Sequence, residues 1–444
     1  MSSKCLLISK TVKKFNKTLE VDGDKSISIR WLLLASQAIG VSKAKNLLGS
    51  EDVISAIECL KKLGIQINFK NNDCIIYGRG INGFKFKKNI TLNAGNSGTV
   101  GRLILPLLIR SPYKIRIIGD KSLSKRDFSR VIRPLNEIGA KFYPKNRDRL
   151  PLSIIGSDYL RPISYYEKRG SAQCKTCVML ASLNTPGEMR IFAKKSRNHT
   201  ELMFKELKIP IKIKNKKNFN IIKTSRPIKL SKFNLNIPGD ISSASFFIAL
   251  TLLSKESQLR LKNINLNPSR LGILKILKKM GANIKLKNIK TFKGERRGDI
   301  FVKSDKELKA INCPSSLNSS AIDEFLIIFL IAAKSRGVSY FKDLSELNKK
   351  ESPRLNLGSK ILNMIGIKTK LTRNSIKIYG QPNIGLSKKY EVKNYLKDHR
   401  IMALCTIAAL TLGGEWKIYD PKSIETSFPS FLKILKKGFK AQIK

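Results

Sequence analysis

Apolar residues recur at helical spacing in several stretches of the chain, and each stretch runs into a glycine and then a short alternating segment. The five clear copies reach that glycine at Gly64, Gly139, Gly281, Gly366 and Gly438, and the first reads DVISAIECLKKLGIQI. The spacing predicts an amphipathic helix in each copy, and the alternation predicts a strand after it. Because glycine adopts the left-handed conformation at little cost, we expect it to end each helix.

A weaker sixth copy, TELMFKELKIPIKI, has Pro210 in the glycine's place. Successive copies lie roughly 70 to 85 residues apart, which is longer than the ~20–50 residues of a solenoid repeat. Three copies precede about residue 240 and three follow it, so the pattern predicts two similar lobes of three α/β units each. The breaks VDGD at 21–24 and PGD at 238–240 are the expected junctions between the lobes, and they suggest a hinge.

Composition agrees with a folded chain of two domains. The chain has 444 residues, of which 42% are hydrophobic, and this is ample for packed cores. The longest apolar run, Phe325 to Ala333, is shorter than the roughly 20 residues that cross a bilayer, and the basic N-terminus does not resemble a signal peptide. The seven cysteines are an odd number and favour a reducing cytoplasm. Cys174 and Cys177 form a C-x-x-C pair, which we interpret as two small residues on a packed helix.

The net charge is +54, from 86 Lys and Arg against 32 Asp and Glu. Such a field attracts nucleic acids, anionic membranes or small anionic substrates. The lysines are spread along the whole chain, and aromatic residues make up only 7%, which leaves few stacking platforms for single strands. The favoured interpretation is a general drift of the composition towards Lys, Asn and Ile, which is tolerated because the substrates are themselves small anions, and a basic nucleic-acid-binding protein is the alternative from another class.

Small polar turns open several of the apolar helices, with a basic residue about one turn in. The four cases are GDKSISIR with Lys25, the expected cap Ser26 and Arg30; GNSGTVGR with Asn96, Gly98, Thr99 and Arg102; GSAQCK with Ser171, Ala172 and Gln173; and DHRIMA with the cap Asp398 and Arg400. Free N–H groups and the helix dipole favour anions at such starts, and arginine adds a planar fork. One such start is typical of any capped helix, but four favour a cleft for a multiply charged ligand.

Carboxylates are sparse, so two acidic positions stand out. Asp323 and Glu324 open the run IDEFLIIFLIAA, and Lys350, Glu351 and Arg354 lie within five residues in KESPR. A lysine, a carboxylate and an arginine this close together supply acid/base groups and an anion clamp. The alternative for the second cluster is a set of charges on the surface.

Taken in order, these motifs resemble the 5-enolpyruvylshikimate-3-phosphate (EPSP) synthase family, whose activity is that of a 3-phosphoshikimate 1-carboxyvinyltransferase. The resemblance runs from Lys25 to Pro429 and includes DKSISIR, GNSGTVGR, GDKSLSKR, SAQCKTCVMLASLNTPGE, RNHTE, IPGDISSASFF, LNPSRLG, IDEF, KKESPRL, DHRIMA and TSFP. The pattern SAQ-x-K followed by LNTPGE is similar to the bacterial subgroup called class II.

The resemblance implies an α/β fold of two similar lobes, each of three βαβαββ units arranged as an inside-out α/β barrel, that close over the substrates. It places the first lobe at 24–239 and the second at 1–23 plus 240–444, with hinges near 21–24 and 238–241.

The resemblance also implies a role for each matching residue. Shikimate 3-phosphate is expected to contact Lys25, Ser26, Arg30, Ser171, Ala172, Gln173, Arg197, Asp323 and Lys350. Phosphoenolpyruvate is expected to contact Lys25, Asn96, Gly98, Arg126, Gln173, Arg354 and Arg400. The expected catalytic residues are Asp323, Glu351, Lys350 and Lys25.

The implied mechanism is addition followed by elimination. Asp323 takes the proton of the shikimate 5-hydroxyl as its oxygen attacks C2 of phosphoenolpyruvate, and either Glu351 or Lys350 protonates C3. Elimination of phosphate and of one C3 proton from the adduct then regenerates the enol ether. The expectation includes no metal and no cofactor. The two substrates are the expected partners of a cytoplasmic monomer that binds neither membranes nor a specific nucleic acid.

Four departures from the family pattern bear on these expectations. Ala172 stands where the family often has a second serine, Asp127 replaces a usual proline, and Pro353 replaces a usual aspartate. Some members carry a lysine just before the T-F-P stretch, where this chain has Glu425. None of these changes removes a residue expected to be essential. Because position 98 is glycine rather than alanine, inhibition by glyphosate in competition with phosphoenolpyruvate is expected.

The nearest alternative is the sister enzyme that transfers enolpyruvate to UDP-N-acetylglucosamine. That family typically has a reactive cysteine on a loop near its arginine clamp, and the corresponding segment GDKSLSKR has none. An inactive relative of the synthases stays open as well.

Overall fold

The computed structural model describes residues 5–444. In chain order its strands are β1 (Cys5–Ile8), β2 (Asn16–Leu19), β3 (Ile39–Lys45), β4 (Gln66–Lys70), β5 (Asp73–Arg79), β6 (Thr91–Asn93), β7 (Ile115–Ile118), β8 (Lys141–Tyr143), β9 (Leu152–Ile155), β10 (Ser164–Glu167), β11 (Glu188–Lys194), β12 (Ile211–Asn215), β13 (Phe219–Ser225), β14 (Leu235–Asn236), β15 (Gln258–Asn265), β16 (Asn283–Phe292), β17 (Glu295–Lys303), β18 (Val338–Phe341), β19 (Thr369–Leu371), β20 (Ile376–Tyr379), β21 (Leu386–Val392) and β22 (Gly413–Tyr419). Its α-helices are α1 (Lys25–Ser36), α2 (Glu51–Lys62), α3 (Gly98–Leu103), α4 (Ser129–Ile138), α5 (Ala172–Ala181), α6 (His199–Glu206), α7 (Ile241–Leu253), α8 (Gly272–Lys279), α9 (Asn318–Ala321), α10 (Phe325–Ala333), α11 (Arg354–Met364), α12 (His399–Leu412) and α13 (Phe431–Phe439).

The described chain divides into two compact units, which we call the first and the second lobe. The first lobe comprises Gly23–Ile237 together with the short segment Phe292–Glu295. The second lobe comprises residues 5–22, Pro238–Thr291 and Arg296–Lys444. Residues 1–4, which the sequence analysis assigned to the second lobe, lie outside the described residues.

The segment 292–295 departs from the sequence-based division, which placed it in the second lobe. Phe292 packs against the hydrophobic core of the first lobe. The Glu295 carboxylate lies 2.6 Å from Nδ1 of the buried His199. These contacts explain why a segment so far along the chain belongs to the first lobe.

Three sheets of four strands form the first lobe. Their strand orders are β14-β3-β5-β4, β6-β7-β9-β8 and β10-β11-β13-β12. In each sheet the first pair is parallel and the other two pairs are antiparallel. The same βαβαββ unit is thus used three times, and β14 at the end of the lobe supplies the first strand of the first unit.

The second lobe also has three sheets, of four, three and three strands, within the described residues. Its sheets have the orders β16-β17-β15-β2, β18-β20-β19 and β1-β22-β21. The N-terminal strands β1 and β2 pair with β22 and β15, so the start of the chain completes the second lobe. The architecture of two similar lobes with three repeat units each, which the sequence predicted, is confirmed.

The helices fall into two kinds. In α7, α10 and α12 nearly every residue is buried, and these helices contact one another at the centre of the second lobe. In the first lobe α1 and α5 are buried over most of their length and both contact neighbouring helices. The amphipathic helices of the repeated pattern, such as α2 and α8, bury one face only. The first turns of α1, α5 and α12 carry several of the candidate site residues.

Four of the five predicted helix-ending glycines are confirmed. Gly64, Gly139, Gly281 and Gly366 follow α2, α4, α8 and α11 with φ of +84°, +129°, +90° and +85°. The left-handed region favours glycine because a side chain there is strained.

The other two copies correct the prediction. Gly438 lies inside α13, and Lys440 takes the left-handed conformation at φ +52°. In the weakest copy the residue that takes the left-handed conformation after α6 is Lys208, at φ +54°. Pro210 lies further along the chain and so does not occupy the place of the glycine. A lysine thus takes the left-handed conformation at the end of both helices.

Among residues 5–444 no single helix is long and apolar enough to cross a membrane, and one bent pair, Ser315–Ala321 with Phe325–Ala333, meets the length and composition criteria only when both parts are taken together.

Candidate active site

The central helices of the first lobe begin at residues that the sequence analysis singled out. Asp24, Ser97 and Ser171 precede α1, α3 and α5, and the side chain of each accepts a hydrogen bond from the backbone N–H three residues on. The expectation that Ser26 caps α1 is wrong, since the helix begins at Lys25 and Asp24 is the cap. Ser26 lies in the first turn instead, half-buried.

Arg102 connects three segments of the first lobe. Its Nη1 donates to Oε1 of Gln173 at 2.8 Å, and its Nη2 donates to the carbonyl oxygen of Asp127 at 2.9 Å. The guanidinium lies over the ring of Phe128, 4.9 Å from its centroid. Burial lowers the pKa of Arg102 to about 10, and the neighbouring Arg126 acts in the same direction. The sequence pattern marks this arginine at a helix start, but it is not among the predicted site residues.

Gly98 lies between two guanidinium groups. A Cβ atom at this position would approach Nη1 of Arg102 to 2.9 Å and Nη1 of Arg126 to 3.2 Å. Arg126 in turn donates to Oδ1 of Asn96 at 2.7 Å. Gln173 donates to the hydroxyl of Thr99 at 3.0 Å. Four predicted residues, Asn96, Gly98, Arg126 and Gln173, therefore lie around Arg102.

Arg30 is the centre of a second group in the first lobe. Its Nε donates to Oγ1 of Thr200 at 2.9 Å, and its Nη2 donates to Oγ1 of Thr176 at 3.3 Å. Its Nη1 donates to the carbonyl oxygen of Ser26 at 3.0 Å. The two threonine hydroxyls are 2.7 Å apart. Sequence reasoning missed both threonines, although Thr200 stands in the quoted RNHTE motif.

Three further predicted residues have their own surroundings in the first lobe. Nζ of Lys25 lies 2.8 Å from Oδ2 of Asp52, and both side chains are largely shielded from solvent. Ala172 is the first residue of α5, directly after its cap Ser171. Arg197 is half-buried just before α6. The first turns of α1 and α5 thus both carry residues expected to bind shikimate 3-phosphate.

In the second lobe three carboxylates converge on Arg354. Its Nε and Nη2 donate to the two oxygens of Asp398 at 2.9 and 3.2 Å. Its Nη2 also donates to Glu351 at 2.7 Å, and its Nη1 lies 3.5 Å from Oδ1 of Asp323. Nζ of Lys350 is 3.2 Å from the same Asp323 oxygen. The structure therefore brings the predicted Asp323, Lys350, Glu351 and Arg354 together.

Asp398 organises this group. The carboxylate is fully buried, accepts from the hydroxyl of Ser352 at 2.8 Å, and caps α12 by accepting from the backbone N–H of Arg400 at 2.9 Å. Burial alone would raise the pKa of Asp398, but Arg354 and His399 outweigh it and hold that pKa below its usual value. Burial likewise opposes the charge of Arg354, yet the surrounding carboxylates raise its pKa above the ordinary value. Both members of the pair are therefore charged at neutral pH.

Pro353, one of the departures from the family pattern, is accommodated without disturbing Arg354. Its φ of −71° is the value that the proline ring imposes. Pro353 directly precedes α11, whose first residue is Arg354. Backbone N–H groups at a helix start have no hydrogen-bond partner within the helix, so the N–H that proline lacks costs no helical hydrogen bond.

Arg400 lies one residue into α12 and is mostly buried. Its Nη1 is 4.0 Å from Oε1 of Glu324, the residue that precedes α10.

Among residues 5–444 no three His, Cys, Asp or Glu side chains gather in a way that would hold a metal ion. Cys174 and Cys177 are buried free thiols in α5, which confirms their interpretation as packed helix residues.

Comparison with known proteins gives one consistent family. The family model described as EPSP synthase (3-phosphoshikimate 1-carboxyvinyltransferase) matches residues 9–435. A 3-phosphoshikimate 1-carboxyvinyltransferase of Ruthia magnifica subsp. Calyptogena magnifica is 37% identical over 432 residues, covering 96% of each chain. The enzyme of that name from Thermodesulfovibrio yellowstonii is 36% identical over 96% of this chain and 98% of its own.

Solved structures agree with the sequence matches. The EPSP synthase of Acinetobacter baumannii is similar with a TM-score of 0.87 and 31% identity, over 99% of both chains. The enolpyruvyl transferase NikO of Streptomyces tendae is similar with a TM-score of 0.76 at 13% identity, over 100% of this chain and 98% of its own, and this similarity bears on the fold alone.

Proposed function

The chain belongs to the EPSP synthase family, and on that premise we propose which of its residues transfer the enolpyruvyl group of phosphoenolpyruvate to the 5-hydroxyl of shikimate 3-phosphate, with release of phosphate. One observation carries the proposal most directly. Three carboxylates surround the buried guanidinium of Arg354 at distances between 2.7 and 3.5 Å, and Nζ of Lys350 lies 3.2 Å from one of them, Asp323. Such a group supplies both an anion-binding cation and acid/base side chains.

In the first lobe we assign the binding of shikimate 3-phosphate to the first turns of α1 and α5. Lys25, Ser26 and Arg30 are proposed to hold its carboxylate end, and Ser171, Ala172, Gln173 and Arg197 its phosphate. The assignment is supported by the backbone N–H groups and the dipole at the start of these helices, which have 12 and 10 residues. Ala172 has no hydroxyl, so the backbone N–H groups are expected to carry more of the phosphate contact here.

Phosphoenolpyruvate is assigned in the first lobe to Asn96, Gly98 and Arg126, with Lys25 and Gln173 assisting. The assignment is supported by Gly98, which has no side chain and lies next to two guanidinium groups. A Cβ atom added at this position would lie 2.9 Å from Nη1 of Arg102 and 3.2 Å from Nη1 of Arg126. In the second lobe we assign Arg354 and Arg400 to the same substrate. Arginine suits this role because its fork matches carboxylate and phosphate oxygens.

For the chemical step we propose Asp323 as the base that takes the 5-hydroxyl proton. Asp323 Oδ1 lies 3.2 Å from Lys350 and 3.5 Å from Arg354, so the proposed base adjoins a candidate acid and an anion-binding residue. Glu351, held by Arg354 at 2.7 Å, is the other candidate to protonate C3 of phosphoenolpyruvate. Electrostatic stabilisation by these cations is expected to contribute most, because the substrates and the adduct are multiply anionic.

We further propose that the protein works as a monomer in the cytoplasm, with these two substrates as its partners and without a specific nucleic acid. The cytoplasmic part is supported by seven free cysteines.

The test is phosphate release by purified protein given shikimate 3-phosphate and phosphoenolpyruvate, alone and together. Release is expected only with both substrates, and it should disappear in Lys25→Ala but persist in Lys14→Ala, where the lysine is 75% exposed. Release with UDP-N-acetylglucosamine in place of shikimate 3-phosphate would favour the sister enzyme. No release from either pair, combined with salt-dependent RNA binding, would favour a basic nucleic-acid-binding protein.

A further inference from the structure

Two consecutive carboxylates at the start of α10 contact two different arginines of the second lobe. Asp323 lies 3.5 Å from Nη1 of Arg354, whereas Glu324 lies 4.0 Å from Nη1 of Arg400. The side chain of Glu324 is fully buried, and that of Arg400 is 11% exposed. Each arginine assigned to phosphoenolpyruvate in this lobe thus has one acidic contact from the same turn of chain.

The surroundings of Glu324 fix its position from the other side. Its Oε1 accepts a hydrogen bond from the hydroxyl of Ser242. That hydroxyl accepts from Nη2 of Arg270 at 2.7 Å, and the same Nη2 lies 3.1 Å from Oδ1 of Asp240, the cap of α7. Glu324 is therefore held in place through α7, independently of Arg400.

The second carboxylate oxygen of Glu324 indicates why a charged side chain lies at this position. Within residues 5–444 its Oε2 is buried and makes no hydrogen bond. A buried carboxylate with one unsatisfied oxygen costs free energy unless a cation compensates it. The Ser242 hydroxyl would be satisfied equally well by a neutral amide oxygen, so hydrogen bonding alone does not account for a charged group here. The guanidinium of Arg400 lies within ion-pair distance of Glu324 and can supply this compensation.

We infer that Glu324 is a positioning residue for phosphoenolpyruvate binding, which holds the guanidinium of Arg400 through its buried charge. The inference rests on the proposed assignment of Arg400 to that substrate. Because Glu324 acts through Arg400 and touches no substrate itself, its loss should weaken the binding of phosphoenolpyruvate and leave shikimate 3-phosphate bound as before.

The variant that tests this is Glu324→Gln, which keeps the size and an oxygen for the Ser242 hydroxyl but removes the charge. We expect KM for phosphoenolpyruvate to rise about tenfold, with kcat and KM for shikimate 3-phosphate nearly unchanged. Glu324→Asp restores the charge at shorter reach, so its KM should fall between those of the wild type and Glu324→Gln. The control is Glu307→Gln in the same lobe, which removes an exposed carboxylate paired with Arg336 at 3.5 Å and should change neither KM.

Arg400→Gln separates failure of this inference from failure of the assignment on which it rests. If Arg400→Gln selectively raises KM for phosphoenolpyruvate while Glu324→Gln changes both KM values equally or neither, Glu324 is only a structural residue and the inference is overturned. If Arg400→Gln itself has no selective effect, the assignment of Arg400 fails and the inference fails with it. Should Glu324→Gln not fold, the same criteria apply to Glu324→Asp.

Discussion

Asp398 offers a quantitative test of the Arg354 cluster through the substitution Asp398→Asn. The carboxylate is 0% exposed and accepts hydrogen bonds from Arg354 at 2.9 and 3.2 Å, from Ser352 at 2.8 Å and from the backbone of Arg400 at 2.9 Å. Asparagine has nearly the same size and is as good a helix cap as aspartate. The substitution therefore removes the negative charge and turns one acceptor into a donor, while the cap of α12 is retained.

The expected cost follows from the burial of the pair. Removing one partner of a buried ion pair costs about 3–5 kcal/mol, because the other charge is left uncompensated. Glu351 and Asp323 still face Arg354 at 2.7 and 3.5 Å, so we expect the lower end, about 3 kcal/mol at pH 7.

The pH dependence has a definite sign. The pKa of Asp398 in the folded protein lies below its ordinary value of 3.8, because Arg354 and His399 outweigh the effect of burial. A carboxylate with a lowered pKa contributes stability that is fully present above the ordinary value and is lost as the pH falls towards the lowered one. The difference in free energy of unfolding between wild type and Asp398→Asn should thus be the same at about pH 7 and pH 5 and become smaller below about pH 4.

The assay is urea unfolding followed by tryptophan fluorescence. The chain has two tryptophans, Trp31 in the first lobe and the buried Trp416 in the second, so a Trp31→Phe background reports on the second lobe alone. This matters because two lobes need not unfold in one transition. Glu256→Gln, which removes a 78% exposed carboxylate paired with Lys14, should have no measurable effect. A loss below about 1 kcal/mol for Asp398→Asn, or a difference that grows in acid, would contradict a stabilising role of the buried pair of Asp398 and Arg354.

Three further substitutions test other parts of the account. Gly98→Ala should displace Arg102 and Arg126, because their Nη1 atoms would lie 2.9 and 3.2 Å from the new Cβ atom. The inhibition constant for glyphosate should then rise more than KM for phosphoenolpyruvate, and equal rises would contradict this prediction. Arg102→Lys loses the guanidinium that donates to both Gln173 and the carbonyl oxygen of Asp127. This substitution should lower kcat/KM while the unfolding midpoint changes little, and unchanged kinetics would contradict the prediction. Glu201→Gln breaks a buried ion pair with Lys175 and should lower the free energy of unfolding by about 3–5 kcal/mol. KM for both substrates should stay unchanged, and altered KM values would show that Glu201 has a role in substrate binding.

Features set by local sequence could be predicted. The helix-ending role of Gly64 and Gly139 follows from a few neighbouring residues, as does the cap at Asp398. The failures are local as well. Gly438 stays helical because a glycine is permitted, not obliged, to leave the helix, and Lys440 shows that lysine also takes the left-handed conformation when the turn requires it.

The site itself was only partly predictable, because its supporting contacts join residues distant in sequence. Arg30 and Thr200 are 170 positions apart, and Arg102 and Gln173 are 71 apart. The pattern of a basic residue one turn into a helix marked Arg102, yet nothing in a single sequence distinguishes an arginine that binds substrate from one that supports its neighbours. The pairing of Glu324 with Arg400 likewise depends on how two helices pack.

The most direct test of the central claim is to follow the carbon atoms. Phosphoenolpyruvate labelled with ¹³C at C3 is incubated with shikimate 3-phosphate and the protein, and the products are read by NMR. The label should appear in an enol ether attached to shikimate 3-phosphate, with one phosphate released per ether formed, and Asp323→Asn should abolish both. Label found only in pyruvate, or left in phosphoenolpyruvate, would contradict the claim that this chain is an enolpyruvyl transferase.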